Sequence, residues 1–236
     1  MLYSFTRMPV ISETTLTNMP SATQQLMNLS SRESPSLKYS KGPLLGQGGF
    51  ACVYGGIRKS DGVKVAMKHM QLKPDEQRNQ LILNEITNLK KFSSHQHILT
   101  FIDCHVYQSN VWLLTEYVDG LTALELAHKA PIPPVYMASI CHSVLKAVHH
   151  LHDNGVVHCD IKIDNIMVSK TGHAKLIDMG LSSKALTMTN YRSGHPFYLA
   201  PELFKSPPYQ LDCPIDIWAL GICIFCLLYT SPSPRD

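Results

Sequence analysis

Four short motifs follow one another in a fixed order along the chain, and they restrict its possible folds more than any other feature. They are a glycine-rich string, a lysine that ends an apolar run, an Asp-x-Lys-x-x-Asn string and an Asp-Met-Gly triplet. Each motif alone is weak evidence, because glycine pairs and loop aspartates are common. Together they indicate that distant segments converge on one site. They occupy Gly46–Val53, Val65–Lys68, Asp160–Asn165 and Asp178–Gly180, and Ala200–Glu202 and Asp216–Gly221 follow them.

Composition is typical of an intracellular globular protein. The 236 residues are 44% hydrophobic, which is enough to bury a core in one large domain or two small lobes. The formal net charge of +3 is too small, and Lys and Arg are too dispersed, to predict binding to nucleic acid or to a membrane surface. The seven cysteines are odd in number and scattered, which favours a reducing, cytoplasmic setting over a secreted disulfide framework.

The first part of the chain divides into a tail and a small lobe. Residues 1–38 are rich in Ser, Thr, Asn, Gln and Met without a sustained period, which predicts a mostly disordered polar tail. Residues 39–118 predict a strand-rich lobe with one helix at 74–92, where apolar residues recur at three and four. The Ser60-Asp61-Gly62 turn predicts a hairpin between two of the strands. The predicted strands are 51–57, 63–69, 99–107 and 111–116.

Residues 119–225 predict a second lobe that is mainly helical. Helical periodicity covers 121–129 and 135–153, and Asn154-Gly155 is typical of a left-handed cap at the end of the second helix. The combination of a strand-rich lobe and a helical lobe predicts an α+β fold.

An apolar run near the end of the chain, 218–229, predicts one more buried helix. It is shorter than the roughly 20 residues that a membrane-spanning helix needs. Cys223 and Cys226 have a C-x-x-C spacing, but they lie inside this run with no second pair. The pattern therefore favours a buried helix over a metal or redox site.

The glycine-rich string suits a loop that contacts a phosphate. Without a Cβ, Gly46, Gly48 and Gly49 let the backbone approach the phosphate closely and direct its N–H groups toward it. An ordinary hairpin would also explain the glycines. A lysine on the following strand, Lys68, favours phosphate binding.

These motifs resemble those of the eukaryotic-type protein kinase family over roughly residues 44–225. The resemblance implies a bilobal fold with a small antiparallel β lobe, one helix in that lobe, and an incomplete helical C-lobe. It implies binding of ATP and Mg²⁺ and transfer of the γ-phosphate to serine or threonine hydroxyls of protein substrates. Lys162, in place of the arginine pattern of tyrosine-specific relatives, favours serine and threonine.

The resemblance also implies roles for single residues. Lys68 would bind the α- and β-phosphates, with Glu85 as its ion-pair partner 85 − 68 = 17 residues further on. Glu76 is the alternative partner, but a carboxylate near a helix start is already explained by the helix dipole.

The Asp-x-Lys-x-x-Asn string would supply the catalytic groups. Asp160 would accept the hydrogen bond of the substrate hydroxyl, and Lys162 would neutralise the γ-phosphate. Asn165 and Asp178 would bind magnesium, which prefers oxygen ligands. Loop capping by Asp160 and Asp164 is the alternative, but it does not explain the whole set.

An adenine site is implied between the lobes. The backbone of Glu116 and Val118 would bond to the base, and Thr115 would control access to a pocket behind it. Three apolar side chains would sandwich the ring, namely Val53, Ala66 and Met167.

Four positions depart from the family pattern. Ala51 replaces a third glycine, Met179 replaces a phenylalanine, and His195 replaces a threonine on the substrate side. Cys159 replaces the arginine before the catalytic aspartate, so the cationic pocket for a phosphorylated segment is missing. We therefore predict that activity does not depend on phosphorylation of the segment that follows Gly180.

The carboxyl end also departs from the pattern. Glu202 has no arginine partner in a later helix, which predicts an incomplete second lobe. Residues 226–236 resemble the translation of a widely used sequencing adapter, and we interpret them as an artefact tail.

Three other functions remain as alternatives. A pseudokinase or scaffold of the same fold would bind partners without turnover, and a fragment could be inactive. The presence of every catalytic polar group favours an enzyme over either. A histidine-rich metal protein fits worst, because its four histidines split across faces. These are His149, His150, His152 and His158.

Overall fold

A computed structural model of the chain describes residues 21–49, 51–184, 186–188, 194–205 and 209–229. It confirms the predicted α+β fold with a strand-rich part followed by a helical part. Every predicted strand and helix of the two lobes is present, with ends that differ from the predictions by a few residues.

The first described element is a helix, α1 (Ala22–Leu29), which lies inside the predicted tail. Ser21 caps it by accepting a hydrogen bond from the backbone N–H of Gln24. Leu26 is completely buried. The prediction of disorder is therefore wrong for residues 21–38, because packing against the rest of the protein stabilises a helix too short to persist alone. Residues 1–20 lie outside the described part.

A five-stranded antiparallel sheet forms the small lobe, in the order β1-β2-β3-β5-β4. One helix, α2 (Glu76–Phe92), connects β3 to β4. Asp75 caps α2 by accepting from the N–H of Arg78. Its buried face, which includes Ile82, Ile86 and Leu89, follows the predicted period. The strands are β1 (Tyr39–Gln47), β2 (Ala51–Arg58), β3 (Lys64–Gln71), β4 (Phe101–Tyr107) and β5 (Asn110–Glu116).

The helical lobe is built on α3 (Ala123–Lys129), α4 (Pro134–Asp153) and α5 (Pro214–Tyr229). Thr122 and Glu125 form a capping box at the start of α3. Gly155, with φ +69°, follows α4 as predicted. The short strands are β6 (Gly120–Thr122), β7 (Val156–Val157), β8 (Ile166–Ser169), β9 (Ala174–Leu176), β10 (Ser183–Lys184), β11 (Leu186–Met188) and β12 (Tyr209–Leu211).

Helix α5 is apolar along most of its length and packs into the core. It crosses the predicted boundary at 225/226 without a break, and Leu227 is buried. Residues 226–229 are therefore part of the helix, whereas residues 230–236 lie outside the described part. Cys223 is also buried, whereas Trp218, Phe225 and Tyr229 are exposed, so the predicted helix is confirmed but only one face of it is buried. Within the described residues, no helix has the length and hydropathy needed to cross a membrane.

The connection between the lobes is held closely at both ends. Lys175 Nζ lies 2.6 Å from Glu116 Oε1 at the end of β5. At the other end, the backbone N–H of Lys170 donates to the carbonyl of Asp119 at 2.8 Å. Gly120 follows, and a Cβ on it would lie 2.0 Å from the carbonyl oxygen of Val168, so only glycine fits there.

Candidate active site

Lys68 and Glu85 form an ion pair between the sheet and α2. Lys68 lies on β3, and its Nζ is 2.6 Å from Glu85 Oε1. Glu76, the alternative partner, instead accepts a hydrogen bond from the backbone N–H of Ala22. Burial raises the pKa of Glu85 to about 7, although the Lys68 ammonium pulls it down. Burial would lower the pKa of Lys68, but the carboxylates of Glu85 and Asp178 outweigh it and raise the pKa.

Asp178 connects this ion pair to the second lobe. Its Oδ2 lies 3.5 Å from Lys68 Nζ, and its Oδ1 accepts from the N–H of Gly180 at 3.3 Å. The Lys68 ammonium lowers the pKa of Asp178. Asp178 also has φ +59°, a left-handed conformation that is uncommon for residues other than glycine. Such backbone strain is typical of functional sites.

Asp160, Lys162 and Asn165 form a second cluster in the loop between β7 and β8. Asp160 Oδ2 accepts from Lys162 Nζ at 2.8 Å and from Asn165 Nδ2 at 2.8 Å. Asn165 Nδ2 also donates to the carbonyl of Asp160 at 2.9 Å. These bonds fix one oxygen of the Asp160 carboxylate and leave Oδ1 to accept from another group.

A backbone hydrogen bond brings the two clusters together. The N–H of Ile177 donates to the carbonyl of Asn165 at 2.9 Å, which places Asp178 next to the loop that carries Asp160. The pKa of His158 also indicates that the two clusters lie close together. Burial lowers the pKa of His158, while the carboxylates of Asp216, Asp160 and Asp178 all act on it in the opposite direction. The sequence-predicted polar residues of both lobes therefore lie around one cleft.

Asp216 anchors the loop that carries Asp160. Sequence analysis assigned no role to this residue. Its carboxylate is buried at the start of α5. It accepts from the N–H of His158 at 2.7 Å and of Cys159 at 2.9 Å, and from His152 Nε2 at 2.8 Å. These bonds compensate for the φ of +66° at Cys159. The sequence does carry one indication of this role, since Asp216 is a single carboxylate in the first turn of an apolar helix. Such a carboxylate is rarely buried unless several donors bond to it.

The oxygen atoms of Asn165 and Asp178 suit a cation whose other ligands are phosphate oxygens and water. Asn165 keeps its amide oxygen for a ligand because its amide nitrogen is bonded to Asp160, and Asp178 adds a carboxylate. Within the described residues, no group of three or more His, Cys, Asp and Glu side chains could hold a metal ion alone. Mg²⁺ commonly uses one or two protein oxygens together with phosphate oxygens and water, so the residues fit it.

The glycine-rich string forms the turn between β1 and β2. Gly48 donates its N–H to the carbonyl of Ala51 at 2.9 Å. A Cβ would meet nothing within 4 Å at Gly46 or Gly49, and neither has a positive φ. The described residues therefore do not themselves require glycine at these positions. Phe50 lies outside the described residues.

Four of the residues predicted to surround adenine lie on adjacent strands of the small lobe. Ala66 on β3 pairs with Thr115 on β5, and Val53 on β2 pairs with Lys68. Thr115 is buried, and its hydroxyl donates to the carbonyl of Glu116 at 3.3 Å. The N–H of Glu116 donates to the carbonyl of Thr100 at 3.0 Å, so a further hydrogen bond to the main chain of Glu116 would have to use its carbonyl. Val118 follows in the connection, and Met167 is half-buried on β8.

The positions that depart from the family pattern also lie at the site. Met179 is completely buried in the same core as Leu89 of α2. Cys159 precedes Asp160, and burial raises the pKa of its thiol. His195 lines a small cavity that also includes Asp160, and its ring contacts those of Phe197 and Tyr198.

Comparison with known proteins agrees with this geometry. A family model described as the protein kinase domain matches residues 39–235. The chain is 32% identical over 201 residues to the serine/threonine-protein kinase shk1/pak1 of Schizosaccharomyces pombe, covering 84% of this chain and 30% of that protein. It is 32% identical over 211 residues to the serine/threonine-protein kinase STE20 of Saccharomyces cerevisiae, covering 88% and 22%. For the serine/threonine-protein kinase pak-1 of Caenorhabditis elegans the identity is 31% over 201 residues, covering 84% and 34%.

The chain thus spans about a third or less of the length of these curated relatives. The family match itself covers most of the chain and includes both polar clusters and the glycine-rich turn. The chain belongs to the protein kinase domain family.

Proposed function

We propose that this protein transfers the γ-phosphate of ATP to serine and threonine hydroxyls of protein substrates. The observation that carries the proposal is the position of Lys68 Nζ, which contacts both Glu85 at 2.6 Å and Asp178 at 3.5 Å. These three residues come from a strand, a helix and a loop that are far apart in the sequence. Phosphoryl transfer depends mainly on positioning and charge neutralisation, and such convergence of charges supplies both.

The nucleotide would lie between the glycine-rich turn and the second lobe. Lys68 binds the α- and β-phosphates, and Glu85 holds its ammonium in place. The backbone of Glu116 and Val118 would select adenine. When bound by Asn165 and Asp178, Mg²⁺ would neutralise charge on the phosphates.

The substrate hydroxyl would meet the loop between β7 and β8. Asp160 Oδ1 accepts its hydrogen bond, because Oδ2 is already held by Lys162 and Asn165. Lys162, 2.8 Å from Asp160, lies close enough to neutralise charge on the transferred group. The named relatives are serine/threonine-protein kinases, which supports serine and threonine as acceptors.

We place the protein in the cytoplasm. All seven cysteines are free thiols, and Cys104, Cys159 and Cys223 are buried among apolar residues. Free thiols in this number favour a reducing compartment.

The test is transfer of labelled γ-phosphate to a generic serine- and threonine-containing protein, followed by analysis of the labelled amino acids. We expect the wild-type chain to label serine and threonine, and Asp178→Asn to reduce the rate by about 10²-fold or more. Asp61→Asn, at an exposed turn, is the matched control and should keep the wild-type rate. Equal labelling by wild type and Asp178→Asn would refute the assignment, and binding of ATP with no transfer by wild type would favour a scaffold.

A further inference from the structure

The segment before the sheet packs against α2, the helix that carries Glu85. We call residues 21–33, which include α1, the amino-terminal brace. Ala22 and Leu26 of α1 are buried in the same core as Ile82 and Ile86 of α2. The family model begins only at residue 39, so the brace lies outside the part of the chain that it matches.

Three polar contacts join the brace to α2 from its first turn to its last. The N–H of Ala22 donates to Glu76, and Asn79 Nδ2 donates to Thr23 Oγ1 at 3.0 Å. At the other end, Lys90 Nζ donates to the carbonyl of Leu29 at 2.7 Å. Asn79 is buried, so its bond to Thr23 is costly to lose. Helix α1 therefore runs alongside α2 and fixes it at both ends.

The brace is also bound to the sheet. The N–H of Ser31 donates to the carbonyl of Cys104 at 2.9 Å, and the N–H of Val106 donates to the carbonyl of Ser31 at 2.8 Å. Ser31 thereby adds a short parallel bridge to the edge strand β4. Because one end of the brace is fixed to β4, it holds α2 at a set distance from the sheet that carries Lys68.

On its other side α2 contacts the segment after Asp178. Asn88 Nδ2 donates to the carbonyl of Ser182 at 3.2 Å and to that of Met179 at 3.5 Å. A Cβ on Gly180 would lie 3.5 Å from the carbonyl oxygen of Leu81. A shift of α2 would therefore move Glu85 away from Lys68 and disturb the loop of Asp178 together.

We propose that the amino-terminal brace is a built-in positioning element, which keeps α2 where Glu85 can hold Lys68. The positioning residues are Leu26 of the brace and Asn79 of α2, which donates to Thr23 of the brace. Neither contacts a nucleotide or a substrate, and each acts through α2. This inference rests on the proposed phosphotransfer, because it concerns the geometry of the same site.

The test compares Leu26→Ala with Leu29→Ala in the full chain. Leu26 is completely buried, whereas Leu29, on the same helix, is 41% exposed. We expect Leu26→Ala to lower kcat about tenfold or more, because small displacements of catalytic groups have large effects on rate. The KM for the protein substrate should stay within about twofold, because the brace does not contact the loop between β7 and β8, where we propose that the substrate hydroxyl binds. Leu29→Ala should match wild type, and Leu26→Met should restore most of the rate because it fills the same volume.

A second variant separates positioning from general loss of stability. Val144→Ala removes buried volume from α4 in the other lobe and should lower the melting temperature as Leu26→Ala does. Well below that temperature we expect Val144→Ala to keep the wild-type kcat. If the two variants lose the same rate for the same loss of stability, the brace has no positioning role and the inference is wrong.

Amide hydrogen exchange provides a readout that does not depend on activity. We expect Leu26→Ala to raise exchange in residues 79–92 of α2 and to leave α4 unchanged, because local opening follows the contacts that are lost. If wild type transfers no phosphate, the proposed function fails, while exchange still decides whether the brace holds α2. Unchanged exchange in α2 would overturn the inference even in an active enzyme.

Discussion

The two polar clusters of the site are built in different ways. Asp160, Lys162 and Asn165 lie within one short loop, and their hydrogen bonds are local. Lys68, by contrast, meets Glu85 from 17 residues away and Asp178 from 110 residues away. The first cluster needs only a correctly folded loop. The second exists only while a sheet, a helix and the second lobe keep their relative positions, so a shift of any one of these elements would disrupt it.

Removing the charge of Asp160 tests the local cluster and has the largest expected effect. Asp160→Asn keeps the size of the side chain but lacks the carboxylate that accepts the hydroxyl hydrogen bond. We expect kcat to fall on the order of 10³-fold. ATP affinity, measured by calorimetry, should stay within about twofold of wild type. A comparable loss of ATP affinity would place Asp160 in nucleotide binding instead.

Removing Lys68 tests the dispersed cluster. Lys68→Ala leaves Glu85 buried without its cation and removes from Asp178 the ammonium that stabilises its charge. We expect kcat/KM for ATP to fall about 10²-fold. Lys64→Ala, at the exposed start of the same strand, is the matched control. An equal loss in both variants would indicate damage to β3 rather than loss of a phosphate contact.

Asp216→Asn tests how far the local cluster depends on its anchor. An amide offers one acceptor where the buried carboxylate accepts from His158, Cys159 and His152. We expect kcat to fall by several tens of fold, because Asp160 is displaced. We also expect the free energy of unfolding to fall by about 2 kcal/mol. Steady-state kinetics and chemical denaturation measure the two effects. A stable variant with the wild-type rate would show that the loop holds its own shape.

The pH dependence gives the smallest expected effect and concerns only the dispersed cluster. Because the pKa of Glu85 is raised to about 7, lowering the pH through 7 protonates it and removes its charge from Lys68. We expect kcat/KM for ATP to fall about tenfold between about pH 8 and pH 6. Glu85→Gln carries no charge at any pH, so its rate should be lower at pH 8 and should lose this dependence. An identical profile in both proteins would assign the acid limb to another group.

The sequence predicted the periodic elements well and the long-range ones poorly. Helix α2 was predicted at 74–92 and lies at Glu76–Phe92, because its apolar spacing and cap are local signals. Helix α1 was missed since half of its eight residues are polar and its stability comes from docking on α2.

The same difference holds within the site. The residues predicted at the cleft come from motifs with fixed spacing, so their identities could be read from the sequence. The role of Asp216 could not, because it depends on burial and on donors from a loop 57 and 58 residues earlier. Helix α5 continues to Tyr229, as the apolar run 218–229 predicted, and therefore crosses the predicted boundary at 225/226.

The tightly held connection between the lobes limits how the cleft can open. Glu116 is fixed by Lys175, and Asp119 and Gly120 are fixed against the segment around Val168. Rotation of one lobe relative to the other therefore falls on the two residues between them, Tyr117 and Val118. Since the backbone of Val118 is also the proposed adenine contact, a bound nucleotide would restrict the backbone rotation on which this hinge motion depends.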